Sequence, residues 1–334
     1  MIRSLFNQLQ TYTDCIKNGI CHHAKAGYRL WLLSSALLIC FSDVTAATHT
    51  QSVIILHQQG SGFSQQLIQH LKKDITARGI RVETQLLTDK KPEVSVIAHH
   101  NLIIALGSRT TKILLDSKIE QPVLSLLIPE NLAIALDLHY PEKKMWSSLL
   151  IDQPIIRHFH LSTALLGKHA SLGIILGPLT QALKNSFQTA ANKTRHKLFV
   201  HSIDSADQLA RTLQQMSQKV DVLLTSPDPE LYNKNTIRSI LLSSYRYKIP
   251  IIGFSKAYVH AGAIAAIYSQ PQQISQQAAK IIEQTLNTGQ ILKKRYQPDD
   301  FSVSLNQQVA RSLGIKLPEV SRIIQHIKQL EAEQ

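Results

Sequence analysis

Apolar runs alternate with amphipathic stretches along most of the chain. The run SVIILH (Ser52–His57) predicts a buried strand, because its central residues are all apolar. In the stretch that follows, apolar side chains recur every four residues, which predicts one buried face of a helix that ends at Gly79. The residues on that face are Phe63, Leu67, Leu71 and Ile75. Three further strands are predicted at Arg81–Leu87, Asn101–Ser108 and Gln121–Pro129.

The same alternation restarts after Trp146. The predicted strands of this part are Ala170–Pro178, Lys197–Asp204, Val220–Asp228 and Ile249–Ser255, with helices between them. Strands that alternate with helices predict parallel sheets covered on both faces. We therefore expect an α/β protein with two Rossmann-like domains, each built around a parallel sheet.

The alternation breaks after Ser255. The apolar run AGAIAAIYS (Ala261–Ser269) follows with no predicted helix between the two strands. A parallel neighbour in the same sheet needs a right-handed helical crossover. The pattern therefore predicts that the chain crosses between the domains in residues 256–261, and that several such crossings form a hinge beside a central cleft.

The domain boundaries follow from this hypothesis. They are a signal peptide at 1–46, a first α/β domain at 47–140 plus 262–298, and a second α/β domain at 141–261 plus 299–334.

The N-terminal residues have the pattern of a secretory signal. Lys17, Lys25 and Arg29 precede the uncharged run Leu30–Phe41, and small residues follow it up to Ala46. This run has twelve residues, whereas a membrane span needs about 20. Cleavage would send the mature chain to the periplasm, and an uncleaved N-terminal anchor is the alternative.

The cysteines precede the predicted cleavage position. They are Cys15, Cys21 and Cys40. The mature chain would then have no disulfide, no thiol nucleophile and no cysteine-based metal site.

Charge and composition exclude several classes of protein. The formal net charge is +13, but the basic residues are scattered and no helix-turn-helix or RNA-binding motif accompanies them. A nucleic-acid partner is therefore not expected. His99 and His100, and likewise His158 and His160, lack the second spaced pair of a metal site, so no metal or cofactor is expected.

Catalytic motifs are also missing from the sequence. Neither a G-x-S-x-G elbow nor an H-E-x-x-H motif is present, and we expect no catalytic residues. A hydrolase-like enzyme in which Asp228 acts with a histidine remains an alternative.

Four stretches, taken in order, resemble the periplasmic substrate-binding proteins of ABC transporters with the type I periplasmic-binding fold. They are most similar to the tryptophan- and tyrosine-binding branch, and LLIDQPIIRHFHL also resembles the start of the second domain in its proteobacterial members. The stretches are NLIIALGS, VDVLLTSPDPELYNKNTI, YRYKIPIIGFSKAYVHAGAIAAIYS and FSVSLNQQVARSLGIKLP. The segment LIPENLAIALDLHYPEKK departs from the Asp-Pro and Asn-rich loop of ligand-binding relatives.

This resemblance implies a function and partners. It implies a monomeric solute-binding component of an importer, which closes its cleft on a small ligand such as an amino acid and docks on a membrane permease. The alternative is a sensor or regulatory protein of the same fold that docks a membrane partner without transport.

Candidate ligand contacts come from the strand ends. In α/β sheets ligands sit outside the carboxyl ends of strands, and helix N-termini favour carboxylates. The candidates are Ser61, Gly62, Ser108, Ser226, Asp228, Ser255 and Tyr258. Structural roles are open for the same residues: Ser108 as a helix N-cap, Asp228 as a turn cap, Tyr258 as hinge packing and Gly62 as part of a turn.

Overall fold

The computed structural model describes residues 51–88, 94–233 and 235–333, so the predicted signal peptide lies outside the described residues. Two six-stranded sheets organise this part of the chain. The first sheet contains β1 (Ser52–His57), β2 (Arg81–Leu86), β3 (Leu102–Leu106), β4 (Val123–Ile128), β5 (Trp146–Leu150) and β11 (Arg295–Tyr296). The second contains β6 (Leu172–Leu176), β7 (Leu198–Ser202), β8 (Val222–Leu224), β9 (Ile251–Gly253), β10 (Ala265–Tyr268) and β12 (Ser302–Leu305).

Strand order is similar in the two sheets. The first runs β11-β5-β4-β3-β1-β2 with every pair parallel. The second runs β12-β10-β9-β8-β6-β7, and only its edge strand β12 is antiparallel. The predicted α/β class with two mostly parallel sheets is confirmed.

Helices cover both faces of each sheet. The first lobe carries α1 (Gly62–Thr76), α2 (Val94–Ile97), α3 (Ser108–Leu115), α4 (Glu130–His139) and α10 (Pro271–Thr288). The second carries α5 (Ile155–Leu166), α6 (Lys184–Thr194), α7 (Leu209–Met216), α8 (Ile237–Arg246), α9 (Lys256–Ala261), α11 (Gln307–Ser312) and α12 (Val320–Ala332). No helix among the described residues is both long enough and apolar enough to cross a membrane.

The predicted helical periodicity corresponds to buried faces. Leu67, Leu71 and Ile75 of α1 are fully buried, and they share a hydrophobic cluster with Ile274 and Ala278 of α10. Burying a side chain of this size stabilises the fold by about 1.5–3 kcal/mol. Residues 47–334, the mature chain expected after cleavage, include all four of these hydrophobic clusters.

The predicted crossing in residues 256–261 is wrong. β10 pairs in parallel with β9 in the second sheet, with Ala265 opposite Ile252. The link between them is α9, which begins after an N-cap at Ser255 and ends at Gly262, whose φ is 128°. Six helical residues span about 9 Å, which matches a strand of three residues at about 10 Å. A helix this short shows no hydrophobic periodicity in the sequence. It is nevertheless long enough to bring the chain back to the start of the next parallel strand.

The lobe boundaries accordingly differ from those expected. β5 lies in the first sheet and β10 in the second, although the boundaries at 140/141 and 261/262 placed them the other way round. The first lobe comprises residues 51–150 and 271–296, and the second comprises 155–268 and 302–333. The chain crosses between them at 151–154, 269–270 and 297–301, which we name the first, second and third crossings.

A buried arginine holds the crossings together. Arg157 at the start of α5 is 6% exposed and donates to Gln153 Oε1 in the first crossing at 2.8 Å. It also donates to the carbonyl oxygens of Pro298 (2.8 Å) and Asp299 (3.0 Å) in the third crossing. Glu331 of α12 supplies its countercharge, with 2.5 Å between Nε and Oε1. The guanidinium therefore joins two crossings to the C-terminal helix.

The second crossing is tied to the other two. Gln153 Nε2 donates to Ser269 Oγ at 2.6 Å, and Ser269 Oγ donates to the carbonyl oxygen of Asp300 at 3.3 Å. Together with the bonds of Arg157, these bonds join all three crossings at one place between the two lobes.

Replacing Arg157 with alanine should lower the free energy of unfolding by about 3 kcal/mol, because Glu331 and two carbonyl groups lose a buried partner. Urea denaturation of residues 47–334 measures this change. The matched control is Arg81→Ala, since Arg81 pairs with Glu83 on the surface with 69% of its side chain exposed. That variant should lose less than about 1 kcal/mol, and equal losses in the two variants would contradict the role of Arg157.

Candidate functional site

The carboxyl edges of the two sheets face each other across a cleft. β5 and β10 each run directly from their carboxyl ends into a crossing, so the hinge lies at that edge of both sheets. Asn131 Nδ2, after β4, donates to the carbonyl oxygen of Leu179, after β6, at 2.6 Å. Ile134 of α4 packs against the hydrophobic cluster of the second lobe. The loops that follow the strands therefore line a shared cleft.

Strand order locates the part of the cleft best suited to a ligand. In the first sheet β2 is added on one side of β1 and β3 on the other, so the direction in which strands are added reverses between β1 and β3. In the second sheet the same reversal lies between β6 and β8. In open α/β sheets ligands bind at such reversal points, because the adjacent loops diverge and leave a crevice. The loops at these points are 58–61, 107, 177–180 and 225–228.

Three of the predicted residues lie at the reversal point of the first lobe. Ser61 is the exposed N-cap of α1 and accepts from the Ser64 amide at 3.5 Å, and Gly62 is the first, exposed residue of that helix. Ser108 begins α3 and is half-buried. Its preceding residue, Gly107, provides no side-chain cap. The first amide groups of α3 are thus without a side-chain cap, which suits a carboxylate.

Two predicted residues lie at the reversal point of the second lobe. Ser226 and Asp228 follow β8, and both side chains are buried. Asp228 accepts three hydrogen bonds: from Thr180 Oγ1 (3.0 Å) and from the amides of Glu230 (3.0 Å) and Leu231 (3.4 Å). The carboxylate therefore ties the loop after β6 to the loop after β8. This geometry favours the turn-cap alternative for Asp228.

Glycine is required where these two loops meet. A Cβ on Gly177 would lie 2.6 Å from Asp228 Oδ2 and 2.6 Å from Leu231 Cγ. Both distances are shorter than any ordinary carbon contact, so the loop after β6 can approach Asp228 only without a side chain. The second-lobe side of the cleft is consequently closely packed.

The last two predicted residues belong to α9. Ser255 caps this helix by accepting from the Tyr258 amide at 3.4 Å. Tyr258 is 5% exposed and packs against Phe254 and Tyr232, with ring centroids 4.8 Å and 6.1 Å away. Burial raises the pKa of the Tyr258 phenol, whose oxygen has no hydrogen-bond partner. Six of the seven candidates thus lie at the carboxyl edges, and Tyr258 packs into the core beside α8.

Sequence reasoning missed two carboxylates at the carboxyl edge of the first sheet. Glu130 follows β4 and Asp152 follows β5, and the Glu130 amide donates to Asp152 Oδ2 at 2.6 Å. Burial raises the pKa of Asp152 to about 7, and the neighbouring Glu130 carboxylate adds to this effect. Burial also raises the pKa of Glu130, against the opposing charge of Arg295. Their position directly after apolar strands could have identified them.

The paired histidines lie on α5. His158 and His160 are both buried, and burial lowers the pKa of His158 to about 4, so it is neutral near pH 7. Burial also lowers the pKa of His160. Within the described ranges no group of three or more histidine, cysteine or acidic side chains is arranged to hold a metal ion.

Removing the Asp228 carboxylate should destabilise the second lobe. We expect Asp228→Ala to lower the free energy of unfolding by about 2 kcal/mol, because two backbone amides and a buried hydroxyl lose their acceptor. Asp228→Asn keeps an acceptor for both amides and should cost less. Asp221→Ala is the control, since Asp221 is exposed and accepts one amide bond, from Ser171 at 2.7 Å. Chemical denaturation measures the free energy of unfolding of each variant. If Asp228→Ala lowered it no more than this control does, Asp228 would not hold the two loops together.

Asp152 should make stability depend on pH. Its folded pKa of about 7 is higher than the pKa of 3.8 of a free aspartate, so the folded state binds more protons between these two values. The contribution of Asp152 to the free energy of unfolding therefore falls as pH rises from about 4 to about 7. Relative to Asp152→Asn, the unmodified protein should be less stable at pH 8 than at pH 5, as measured by urea denaturation. A stability difference that is the same at both pH values would contradict this prediction.

Several solved structures have the same architecture. A ligand-free, open substrate-binding protein with adhesive properties from Clostridium difficile has a TM-score of 0.65 at 16% identity, over 80% of this chain and 96% of that one. An ABC domain from Streptococcus pneumoniae in complex with L-Trp has a TM-score of 0.57 at 16% identity, over 82% and 98%. A conserved domain protein from Vibrio cholerae gives 0.58 at 18% identity, over 82% and 98%.

At such low identity these structural similarities establish the fold alone, which is the type I periplasmic-binding fold expected from the sequence. A comparison with curated proteins found no match. The family model for ABC transporter substrate binding proteins matches residues 95–326, which is well over half of the chain. The protein therefore belongs to the ABC transporter substrate-binding protein family.

Proposed function

We propose that the protein is the periplasmic solute-binding component of an ABC-type importer and closes its cleft on an amino acid or a related solute. Family membership supports solute binding, and the observation that carries the proposal is the pair of carboxyl edges facing each other across a three-segment hinge. Ligand binding would shift the population from open to closed states, and the closed state would present a surface to the permease. The periplasmic location depends on the predicted signal peptide.

The polar groups along the carboxyl edges of the sheets fit a zwitterion. The first amides of α3 after Gly107 suit a carboxylate, whereas Glu130 and Asp152 suit an ammonium group. Ser61 and Ser226 add hydroxyl groups on opposite sides of the cleft. The complex of the Streptococcus pneumoniae relative with L-Trp agrees with this ligand class through the fold alone.

The other sequence-based alternatives have less support. A solved structure of the same fold at 14% identity is a XylFII-LytSN complex mutant, which supports the fold alone, and no feature of this chain favours the sensor alternative. An enzyme that uses Asp228 would need a free carboxylate, and this one accepts three hydrogen bonds. We therefore propose a binding protein without catalytic residues that acts as a monomer.

Ligand addition should raise the thermal stability of residues 47–334. We expect a shift with amino acids and none with sugars, purines or inorganic anions, because only the first class presents a carboxylate and an amine together. A ligand at a hundredfold excess over Kd stabilises the folded state by about 2.7 kcal/mol. A shift with sugars alone would replace the ligand class, and no shift with any compound would overturn the solute-binding proposal.

Variants would then locate the site. Ser108→Ala and Ser226→Ala should each raise the Kd for the identified ligand by about fivefold, the value of one hydrogen bond. Ser312→Ala on α11 is the control, because this exposed serine bonds only to the carbonyl oxygen of Val309 within its own helix. Calorimetry that finds equal Kd values for all three variants would place the site elsewhere.

A further inference from the structure

Two lysine-rich segments meet at the amino edge of the first sheet, opposite the cleft. Lys143 and Lys144 precede β5, and Lys293 and Lys294 precede β11. β5 and β11 are parallel neighbours, with Arg295 opposite Ser148, so the two lysine pairs lie side by side. The segments are more than 140 residues apart in the chain, and pairing of the strands is what brings them together.

Hydrogen bonds fix the two segments to each other. Lys294 Nζ donates to the carbonyl oxygen of Lys143 at 2.8 Å, and Ser147 Oγ donates to the carbonyl oxygen of Lys293 at 2.7 Å. Lys143 Nζ donates to the carbonyl oxygen of Ser117, also at 2.8 Å. The backbone here is therefore ordered, and Lys144 and Lys293 remain exposed.

Exposed apolar side chains accompany these lysines. Leu138 at the end of α4 is 79% exposed, Leu292 is 55% exposed and Met145 is 39% exposed. Asp137, beside Leu138, pairs with Lys294 at 3.6 Å and with Arg295, which brings the end of α4 to the same edge. We name this surface the basic face. Its residues are Leu138, Lys143, Lys144, Met145, Leu292, Lys293 and Lys294.

The charge of the surface is positive. Five cations stand here: the four lysines and Arg295. The acids beside them are Asp116, Asp137 and Glu142, of which Asp137 is already paired with Lys294 and Arg295 and Asp116 accepts from the Tyr140 hydroxyl. Exposed lysines interspersed with large apolar side chains are the composition that binds an anionic membrane surface, where cations meet headgroups and apolar side chains enter the boundary region.

The direction of the chain is consistent with a membrane at this edge. All strands of the first sheet are parallel, so β1 begins at the same edge as β5 and β11. The fifty residues before Gln51 are joined to the lobe there, and they include the uncharged run Leu30–Phe41. The described part of the chain therefore begins at the edge that carries the basic face and not at the edge that lines the cleft.

We propose that the basic face docks on a lipid surface that carries anionic headgroups. Each cation close to such a surface contributes about 1 kcal/mol, and this attraction falls with added salt. The docking does not require the solute-binding function, since no residue of the basic face lines the cleft.

The test is sedimentation of residues 47–334 with two kinds of vesicle. One contains phosphatidylcholine alone, and the other has one third of it replaced by phosphatidylglycerol. We expect binding only to the anionic vesicles, weakened by salt. The double variant Lys144→Gln/Lys293→Gln should bind about 30-fold more weakly, and Leu138→Ser/Leu292→Ser should also bind more weakly.

Matched changes on the second lobe serve as controls. Lys256→Gln/Lys316→Gln alters two exposed lysines, and Leu242→Ser alters an exposed leucine. Both controls should bind like the unmodified protein, with thermal unfolding used to verify that every variant is folded. If the control lysine variant bound the vesicles as weakly as the Lys144→Gln/Lys293→Gln variant, net charge alone would explain the binding. That result would overturn the proposal. Absence of binding by the unmodified protein would overturn the lipid as partner, in favour of an acidic protein.

Discussion

A buried guanidinium must have partners for its donors, and this requirement organises the hinge. Arg157 is surrounded by acceptors: the nearby Gln153 side chain in the first crossing and, from distant parts of the chain, two carbonyl groups of the third crossing and the carboxylate of Glu331. Leaving such a cation unpaired in the interior costs several kcal/mol. The crossings therefore come together at one point, although none of them has regular secondary structure of its own.

The hinge and the cleft are consequences of the same topology. Parallel strands place all carboxyl ends of a sheet at one edge, and the chain crosses between lobes at that edge. The crossings then hold the two edges close enough for Asn131 to reach Leu179. Each lobe has its own buried clusters, but Ile134 of the first lobe packs against one cluster of the second, so rotation about the crossings would change both the cleft and this contact. On the second-lobe side of the cleft, Asp228 holds the loops after β6 and β8 together.

The sequence predicts what depends on local pattern. Helix α1 was identified because Leu67, Leu71 and Ile75 repeat every four residues and are buried together. Strands β3, β4 and β6 were identified as continuous apolar runs. Such patterns show which residues face a core. They do not depend on which other helix or strand covers that core.

Pairing and side-chain direction are not local, and the errors arise there. The partner of β10 depends on how α9 returns the chain, and six residues show no periodicity. Tyr258 was expected at the ligand because it follows a strand end, yet a helix N-terminus directs successive side chains in different directions, and this one enters an aromatic cluster. The sequence does not predict helix α4, because its apolar residues lie on several faces and not on one. One of them, Ile134, contacts the second lobe.

The two edges of the first lobe have different chemistry, and this separates two tasks. The carboxyl edge presents uncapped amides, hydroxyl groups and the Glu130–Asp152 pair, which suit a small polar solute. The amino edge presents lysines and exposed leucines, which suit an extended anionic surface. The strands of the sheet run from the amino edge to the carboxyl edge, and the close packing of their buried side chains connects the two edges rigidly. Rotation at the crossings would move the second lobe relative to both edges and leave the basic face unchanged, because all of its residues belong to the first lobe. Contact with a membrane at that face would therefore hold the first lobe in place while the second lobe opens and closes the cleft.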